Sequence, residues 1–192
     1  MNLKINRESY SNNETFLFHL YNDLGYTDLE MAYNYNDRDG NKRFSKWVRF
    51  DYIITIENDE RVEGTIDTKK SFFNKITHRR ILDIEVVLDI DETPAGSTNP
   101  DEIKIYSKNI LKDLKAKGFG FEVYFSGSKS IHAHFIFPQL RLMRKYDRTR
   151  FKRDFISKFG ADKMKSSDRT MIALEGAPHW KTGVKKEVFN IE

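Results

Sequence analysis

The sequence predicts an α+β fold in which helices cover one face of an antiparallel sheet. Between residues 82 and 175 the hydrophobic patterns follow the order strand, helix, strand, strand, helix, strand, which is the order of a split βαβ or RRM-like core. Two of these elements are well marked: a strand at 82–91 with apolar residues at every even position, and a capped helix that begins after Asn99. We therefore expect an RRM-like core over 81–192 and an N-terminal α/β subregion over 1–80 packed on it, together forming one compact domain.

The first 80 residues are predicted to form a small α/β subregion, and their sequence does not indicate a function. Residues 14–24 have apolar positions at helical spacing and end before Gly25, so they predict a short helix. Alternating patterns around a turn at Asp39-Gly40 predict a small antiparallel sheet with strands at 31–35, 44–50 and 52–56. Residues 69–80 are interpreted as a helix or a basic connector that leads into the next strand.

The strand at 82–91 has one apolar face and one acidic face. Its apolar side chains are Leu82, Ile84, Val86, Leu88 and Ile90, and its acidic side chains are Asp83, Glu85, Asp89 and Asp91. Same-face neighbours on a strand lie about 6.5–7 Å apart, so Asp89 and Asp91 can converge on a divalent cation. A solvated strand face is the simpler interpretation, but strands are depleted in Asp and stacked like charges repel each other. We therefore expect a cation over this face.

The elements after this strand are predicted from caps and alternation. Asn99 is a suitable N-cap, Pro100 suits the first helical position, and Gly118 ends the apolar pattern of the helix. Strands follow at 119–125 and 131–137, then a basic amphipathic helix at 146–158 and a strand at 170–174.

The loop between the strands at 119–125 and 131–137 is a candidate phosphate site. It reads Ser126-Gly127-Ser128-Lys129-Ser130 and leads directly into a strand with His132 and His134 on one face. Small residues with free backbone donors and one lysine can cradle a triphosphate. Taken alone, the same loop is equally well an ordinary turn.

Charge is distributed unevenly along the chain. The formal net charge is +4; basic residues concentrate after position 140, whereas acidic residues dominate 83–102. This arrangement suits a polyanion that docks beside a metal site, although a solvated helix face is the simpler interpretation of the basic stretch. The residues that we predict to bind DNA are Arg144, Lys145, Arg148 and Lys152.

Composition excludes several classes of protein. The chain has no Cys, which rules out disulfides and any zinc held by Cys. No run of about 18 apolar residues occurs and the start has no apolar signal-peptide core, so we expect no membrane partner and a cytoplasmic or nucleoid-associated location.

Three motifs in this order resemble the archaeo-eukaryotic primase superfamily, which includes primase small subunits and primase-polymerases. The Asp-hydrophobic-Asp motif matches Asp89-Ile90-Asp91, and the Ser-x-His motif matches Ser130-Ile131-His132. The third motif, a late carboxylate followed by a GSxHxKTG-like segment, matches Asp162 and then GAPHWKTG at 176–183. The motifs cover 82–192, and the first 80 residues do not contribute to the resemblance.

The resemblance implies a DNA primase or primase-polymerase that joins nucleotides on a template. It implies that Asp89, Asp91 and Asp162 are catalytic and hold two Mg²⁺ or Mn²⁺ ions. Glu175 stands where the superfamily usually has Pro, so Glu175 and then Asp168 are alternatives to Asp162 as the third carboxylate. The residues implied to bind the nucleotide are Ser126, Lys129, Ser130, His132 and Lys181.

The implied partners are a DNA template and primer together with an NTP or dNTP. A primase large subunit, a helical accessory domain and a helicase are further partners that the resemblance allows. The choice between ribonucleotides and deoxyribonucleotides stays open.

Two other functions use the same predicted sheet. His132-Ala133-His134 also resembles the His-hydrophobic-His motif of rolling-circle nickases, in which two His bind a metal and a Tyr such as Tyr146 or Tyr106 attacks DNA. Alternatively, basic residues and aromatics on a sheet can form a non-catalytic single-strand-binding module. Neither alternative needs the paired Asp89 and Asp91.

Overall fold

A computed structural model describes residues 4–192 of the chain, and these divide into two compact units. The first unit contains residues 4–5, 81–171 and 178–192, and the second contains residues 6–80 and 172–177. Residues 172–177 thus fall in the same compact unit as residues 6–80. No helix within residues 4–192 is long and apolar enough to cross a membrane.

The strands and helices of the described residues follow the chain in this order. The strands are β1 (Glu30–Ala32), β2 (Asn34–Asn36), β3 (Lys42–Phe44), β4 (Val48–Arg49), β5 (His78–Arg80), β6 (Glu85–Ile90), β7 (Glu122–Phe125), β8 (Ile131–Ile136), β9 (Met171–Ala173) and β10 (Glu187–Val188). The α-helices are α1 (Asn13–Asn22), α2 (Phe50–Ile53), α3 (Lys69–Lys75), α4 (Pro100–Ala116) and α5 (Lys145–Ser157). Short 3-10 turns lie at Arg7–Ser9, Pro138–Leu142 and Lys163–Ser166.

The first unit is built on an antiparallel sheet with the order β10-β7-β8-β6. β8 is central: it pairs with β6 on one side and with β7 on the other. In the β6–β8 register, Asp89 lies opposite His132 and Val87 lies opposite His134. The predicted mixture of helices with an antiparallel sheet is therefore confirmed, and the acidic face of β6 adjoins the histidine face of β8.

The fourth strand of this sheet is not the one that the sequence predicts. The pattern at 170–174 does form β9, but β9 pairs with β5 in a separate sheet of order β4-β1-β5-β9. The edge position of the core sheet is taken instead by β10, which pairs with β7. The alternation of a short strand defines its two faces but not its neighbour, which is why the sheet assignment of β9 was wrong.

The helices of the first unit begin and pack as their sequences indicate. The Asn99 side chain accepts a hydrogen bond from the Asp101 amide at 2.9 Å, which caps α4. In α5, Phe155 lies at ring-centroid distances of 6.0, 5.4 and 5.7 Å from Phe119, Phe135 and Phe137. Aromatic burial of this kind is a large part of core stabilisation, and here it fixes α5 against the strand that contains His132.

The second unit differs from expectation at 52–56, where the structure has no strand. Residues Phe50–Ile53 form α2, in which Phe50 and Ile53 are both buried. The Asp51 carboxylate accepts a hydrogen bond from the Tyr52 amide at 2.8 Å and so satisfies a donor at the start of the turn. Two buried residues three positions apart fit a helical turn, and this spacing outweighs the short alternation at Tyr52, Ile54 and Ile56.

Candidate active site

The centre of the candidate site is the cross-strand pair of Asp89 on β6 and His132 on β8. His132 Nε2 lies 3.3 Å from Asp89 Oδ1, and the side chains are only 8% and 13% exposed. The opposite oxygen, Asp89 Oδ2, lies 3.4 Å from Lys165 Nζ. A carboxylate that contacts an imidazole and an ammonium group and is so little exposed is not the solvated strand face of the simpler interpretation.

The electrostatic surroundings keep Asp89 ionised. Burial by itself would raise the pKa of the Asp89 carboxyl, but His132 and then Lys165 outweigh burial and lower that pKa below its ordinary value. Burial is the main cause that lowers the pKa of His132, against the opposing effect of Asp89. The site thus holds a fixed negative charge that is available to a cation.

Asp91 lies where β6 ends and is more accessible than Asp89. Its side chain is 49% exposed, and Lys129 Nζ lies 3.7 Å from Asp91 Oδ2. The lysine of the candidate phosphate loop is therefore next to the second aspartate, as expected if carboxylates and phosphate-binding groups share one site.

The backbone of Asp162 is hydrogen-bonded to the backbone of Asp89. The Asp162 amide donates a hydrogen bond to the Asp89 carbonyl oxygen at 3.0 Å, so the turn at Lys163–Ser166 lies along the edge of β6. The Asp162 side chain accepts a hydrogen bond from the Met164 amide at 2.9 Å and caps this turn. Asp162 is therefore next to Asp89 through the backbone, whereas its carboxylate caps the turn.

The candidate phosphate loop is packed against the KTG segment. Ser126 Oγ accepts a hydrogen bond from the Ser130 amide at 3.1 Å, and Thr182 Oγ1 donates one to the Gly127 carbonyl oxygen at 2.6 Å. Gly127 has φ +87°, and a Cβ there would lie 2.3 Å from the Val184 carbonyl oxygen, so only glycine fits. Thr182 of this segment thus contacts the loop, whereas Nζ of the neighbouring Lys181 lies 5.1 Å from the centroid of the Trp180 ring.

The arrangement matches a known fold. One solved structure, the AEP domain of the primase-polymerase (PrimPol) of cyanophage S-2L, aligns with a TM-score of 0.50 at 14% sequence identity. The alignment covers 92% of this chain and 88% of that chain. The chain has the archaeo-eukaryotic primase fold. No protein-family profile and no curated protein sequence matches the chain. The similarity to primases therefore rests on the motifs and on the fold.

Within the primase fold, Glu175 has a structural role. Its two carboxylate oxygens accept hydrogen bonds from Arg79 Nε and Nη2, both at 3.0 Å, and both side chains are fully buried. A carboxylate held in this bidentate way has no oxygen directed to a metal site. The expectation that Glu175 could substitute for the third metal ligand is therefore corrected.

The Asp168 carboxylate also forms ion pairs, with Lys152 and Arg148, two residues that were predicted to bind DNA. Lys152 Nζ donates to Asp168 Oδ1 at 2.6 Å and to the Leu82 carbonyl oxygen at 2.8 Å. Arg148 donates two hydrogen bonds to Asp168 Oδ2, at 3.0 and 2.7 Å. Lys152 is completely buried, and burial lowers the pKa of its ammonium group although Asp168 opposes the shift. Lys152 is therefore a structural residue and not a DNA contact, because it has no surface to offer a phosphate.

The histidine arrangement does not favour the rolling-circle alternative. His134 Nδ1 lies 2.6 Å from Glu85 Oε1, and Lys186 Nζ lies 3.2 Å from His134 Nε2. Both nitrogens of His134 are thus engaged, and the side chains of His134 and Glu85 are fully buried. His132 and His134 are directed to different carboxylates, so they do not form the shared metal site that a nickase needs. This end of the sheet face is buried.

A divalent metal is implied by the primase fold, and the residues present fit one. His132 Nδ1 is buried without a hydrogen-bond partner within residues 4–192, and Asp89 Oδ1 is buried with no contact other than the 3.3 Å approach of His132 Nε2, so the site contains polar atoms that a ligand would satisfy. Oxygen donors such as Asp89 and Asp91 suit Mg²⁺ or Mn²⁺. In the described part of the chain, however, no group of three or more His, Asp or Glu side chains is already arranged around one point, so metal binding requires side-chain rearrangement.

Lys165 and Lys186 are residues of the site that the sequence does not reveal. Lys165 follows Asp162 in a polar stretch without periodicity, and Lys186 follows the KTG segment. Neither position matches a motif or a hydrophobic pattern. Their contacts depend on segments distant in sequence, so no local signal could have identified them.

Proposed function

We propose that this chain is the catalytic domain of a DNA primase or primase-polymerase, a nucleotidyl transferase that extends a chain on a DNA template. The observation that supports it best is the register of β6 and β8, which places Asp89 beside His132 in a primase fold. A non-catalytic DNA-binding surface would not concentrate carboxylates where phosphates bind, because the charges repel.

The proposed roles follow from the positions of the side chains. Asp89, Asp91 and Asp162 would hold two Mg²⁺ or Mn²⁺ ions. When bound, such ions favour ionisation of the primer 3′-hydroxyl and neutralise charge on the pyrophosphate that leaves. The carboxylate of Asp89 is poised for this task because its neighbours already keep it charged.

The triphosphate would be bound by the loop between β7 and β8 together with the KTG segment. Lys129 and Lys181 provide charge, and the Ser130 hydroxyl provides a hydrogen bond. Ser126 mainly shapes the loop, because its hydroxyl oxygen already accepts the Ser130 amide. His132 lies between this loop and Asp89 and would orient the phosphates against the metal ions.

The decisive experiment offers the protein Mn²⁺, a primed or an unprimed DNA template, and labelled NTPs or dNTPs. We expect products complementary to the template that disappear when the metal is chelated. A covalent link between DNA and a tyrosine would instead indicate a nickase. Tight binding of single strands without any incorporation, under all four combinations of template and nucleotide, would indicate a binding module.

Replacing His132 by alanine should chiefly weaken nucleotide binding. The imidazole contacts Asp89 but, as proposed, also orients the triphosphate, so we expect KM for the nucleotide to rise about tenfold with a smaller fall in kcat. Steady-state incorporation kinetics on a primed template would measure both constants. His19→Ala, which removes an imidazole on α1, is the matched control, and an unchanged KM in His132→Ala would contradict the assignment.

Exposed basic residues at the start of α5 should bind the template backbone. Arg144 and Lys145 are exposed, so replacing both by glutamine should weaken DNA binding and reduce the slope of log K against log salt by up to about 2, or about 0.9 for each phosphate contact. Fluorescence anisotropy at several salt concentrations measures this slope.

A double variant of Lys112 and Lys117 provides the control for this experiment. Both are exposed residues at the end of α4, so their replacement by glutamine makes the same change in net charge. If the two double variants lose the same affinity and slope, the effect is one of net charge and α5 is not the DNA-binding surface.

A further inference from the structure

Lys165 is held against the metal-binding carboxylates by the turn that follows Asp162. The Asp162 amide is bonded to the Asp89 carbonyl oxygen, and Lys165 lies three residues later in the turn Lys163–Ser166. Its ammonium group lies 3.4 Å from Asp89 Oδ2 and donates to the Met171 carbonyl oxygen at 3.5 Å. The position of Lys165 is therefore set by backbone contacts, whereas its charged end makes two long contacts that are readily exchanged.

Two of the carboxylates at this site, those of Asp89 and Asp91, each have a lysine beside them. Asp89 is paired with Lys165 at 3.4 Å and Asp91 with Lys129 at 3.7 Å, so two ammonium groups oppose two carboxylates. Divalent cations on the same oxygens would place like charges within a few ångströms of both lysines, in a partly buried site where screening is weak. Metal and lysine therefore compete for Asp89, and a metal that binds there must release Lys165.

Once it is released from Asp89, the ammonium group of Lys165 can bind the phosphates of the incoming nucleotide. A nucleoside triphosphate brings about four negative charges to the site together with its metal ions, and Lys165 is only 18% exposed and cannot move far into solvent. A lysine on a flexible four-carbon stem can pivot from one oxygen anion to another without movement of its backbone.

We propose that Lys165 is an exchange residue: it neutralises Asp89 while the site lacks metal and transfers to the triphosphate when metal and nucleotide enter. This inference rests on the proposed function for the identity of the incoming anion. It predicts two effects of opposite sign. Without Lys165, metal alone should bind more tightly because its competitor is gone, whereas the nucleotide should bind more weakly because one of its ligands is gone.

The test compares Lys165→Met with the wild type and with Lys163→Met. Lys163 is an exposed lysine in the same turn, so its variant has the same net charge and the same new side chain. Free Mn²⁺ is measured by electron paramagnetic resonance during titration of each protein without nucleotide. A non-hydrolysable nucleotide analogue is then titrated at saturating Mn²⁺. Far-UV circular dichroism establishes that each variant is folded.

We expect Lys165→Met to bind Mn²⁺ about tenfold more tightly than the wild type, an effect of the size of one partly exposed ion pair, and to bind the nucleotide analogue about tenfold more weakly. Lys163→Met should match the wild type in both titrations. Lys165→Arg, which keeps the charge, should restore weaker Mn²⁺ binding.

The outcomes separate this inference from the proposed function. If the wild type binds Mn²⁺ and folded Lys165→Met binds it no more tightly, the proposed exchange role of Lys165 is wrong, but the proposed metal site is still supported. If neither protein binds Mn²⁺, the metal site of the proposed function and the exchange both fail. If Lys165→Met binds both Mn²⁺ and the nucleotide more tightly, Lys165 only blocks the site and does not transfer to the triphosphate.

Discussion

Replacing Asp89 by asparagine should abolish nucleotide incorporation while the chain remains folded. The substitution keeps the shape of the side chain but removes the charge that His132 and Lys165 surround. Electrostatic stabilisation of phosphoryl transfer by metal ions amounts to several kcal/mol, so we expect incorporation to fall by about a thousandfold or more.

Single-turnover extension of a labelled primer in Mn²⁺ measures this loss. Asp113→Asn is the matched control, because Asp113 is an exposed aspartate on α4, and its activity should equal that of the wild type. Mn²⁺ titration should show that Asp89→Asn also loses metal affinity. Normal incorporation by folded Asp89→Asn would eliminate Asp89 as a metal ligand and with it the proposed mechanism.

Replacing Glu175 by glutamine should have the largest effect on stability. The change leaves Arg79 completely buried without its counter-charge, and breaking a buried ion pair from one side costs about 3–5 kcal/mol. For a chain of this size the corresponding fall in melting temperature is about 10 °C. Because both oxygens of Glu175 accept hydrogen bonds from Arg79 and neither is directed to the proposed metal site, the protein that remains folded at low temperature should still incorporate nucleotides.

Circular dichroism melts and urea titrations of Glu175→Gln measure this loss, with Glu63→Gln as a control for an exposed glutamate of the same unit. The double variant Arg79→Met/Glu175→Met should recover most of the stability, because no buried charge is left unpaired. A stable Glu175→Gln protein that has lost Mn²⁺ binding would contradict the structural role of Glu175 and would indicate that Glu175 is a metal ligand.

The predictions from the sequence succeeded where a local pattern has a direct geometrical meaning. Alternation along β6 places Asp89 and Asp91 on one face, because side chains on a strand repeat every two residues. The capping residue Asn99 starts α4 because its side chain satisfies a helix amide.

The predictions failed where the partner of a residue lies far along the chain. Arg79 and Glu175 are separated by 96 positions, and Lys152 meets Asp168 only because α5 packs beside β6 and the turn Lys163–Ser166. Charged residues of this kind look like surface groups in the sequence, since Lys, Arg and Glu are seldom buried unless they are paired. In the structure, Lys152, which was predicted to contact DNA, and Glu175, an alternative metal ligand, both form buried ion pairs.

By itself, the sequence predicted most of the local elements, the acidic strand face, the candidate phosphate loop and the resemblance to the primase superfamily. The tertiary structure alone decided that β9 leaves the core sheet, that His132 lies against Asp89, and that Lys165 takes the position of a cation beside it. The physical reason is that periodicity and caps depend on neighbours within a few residues, whereas charge pairing in a buried site depends on which distant segments the fold brings together.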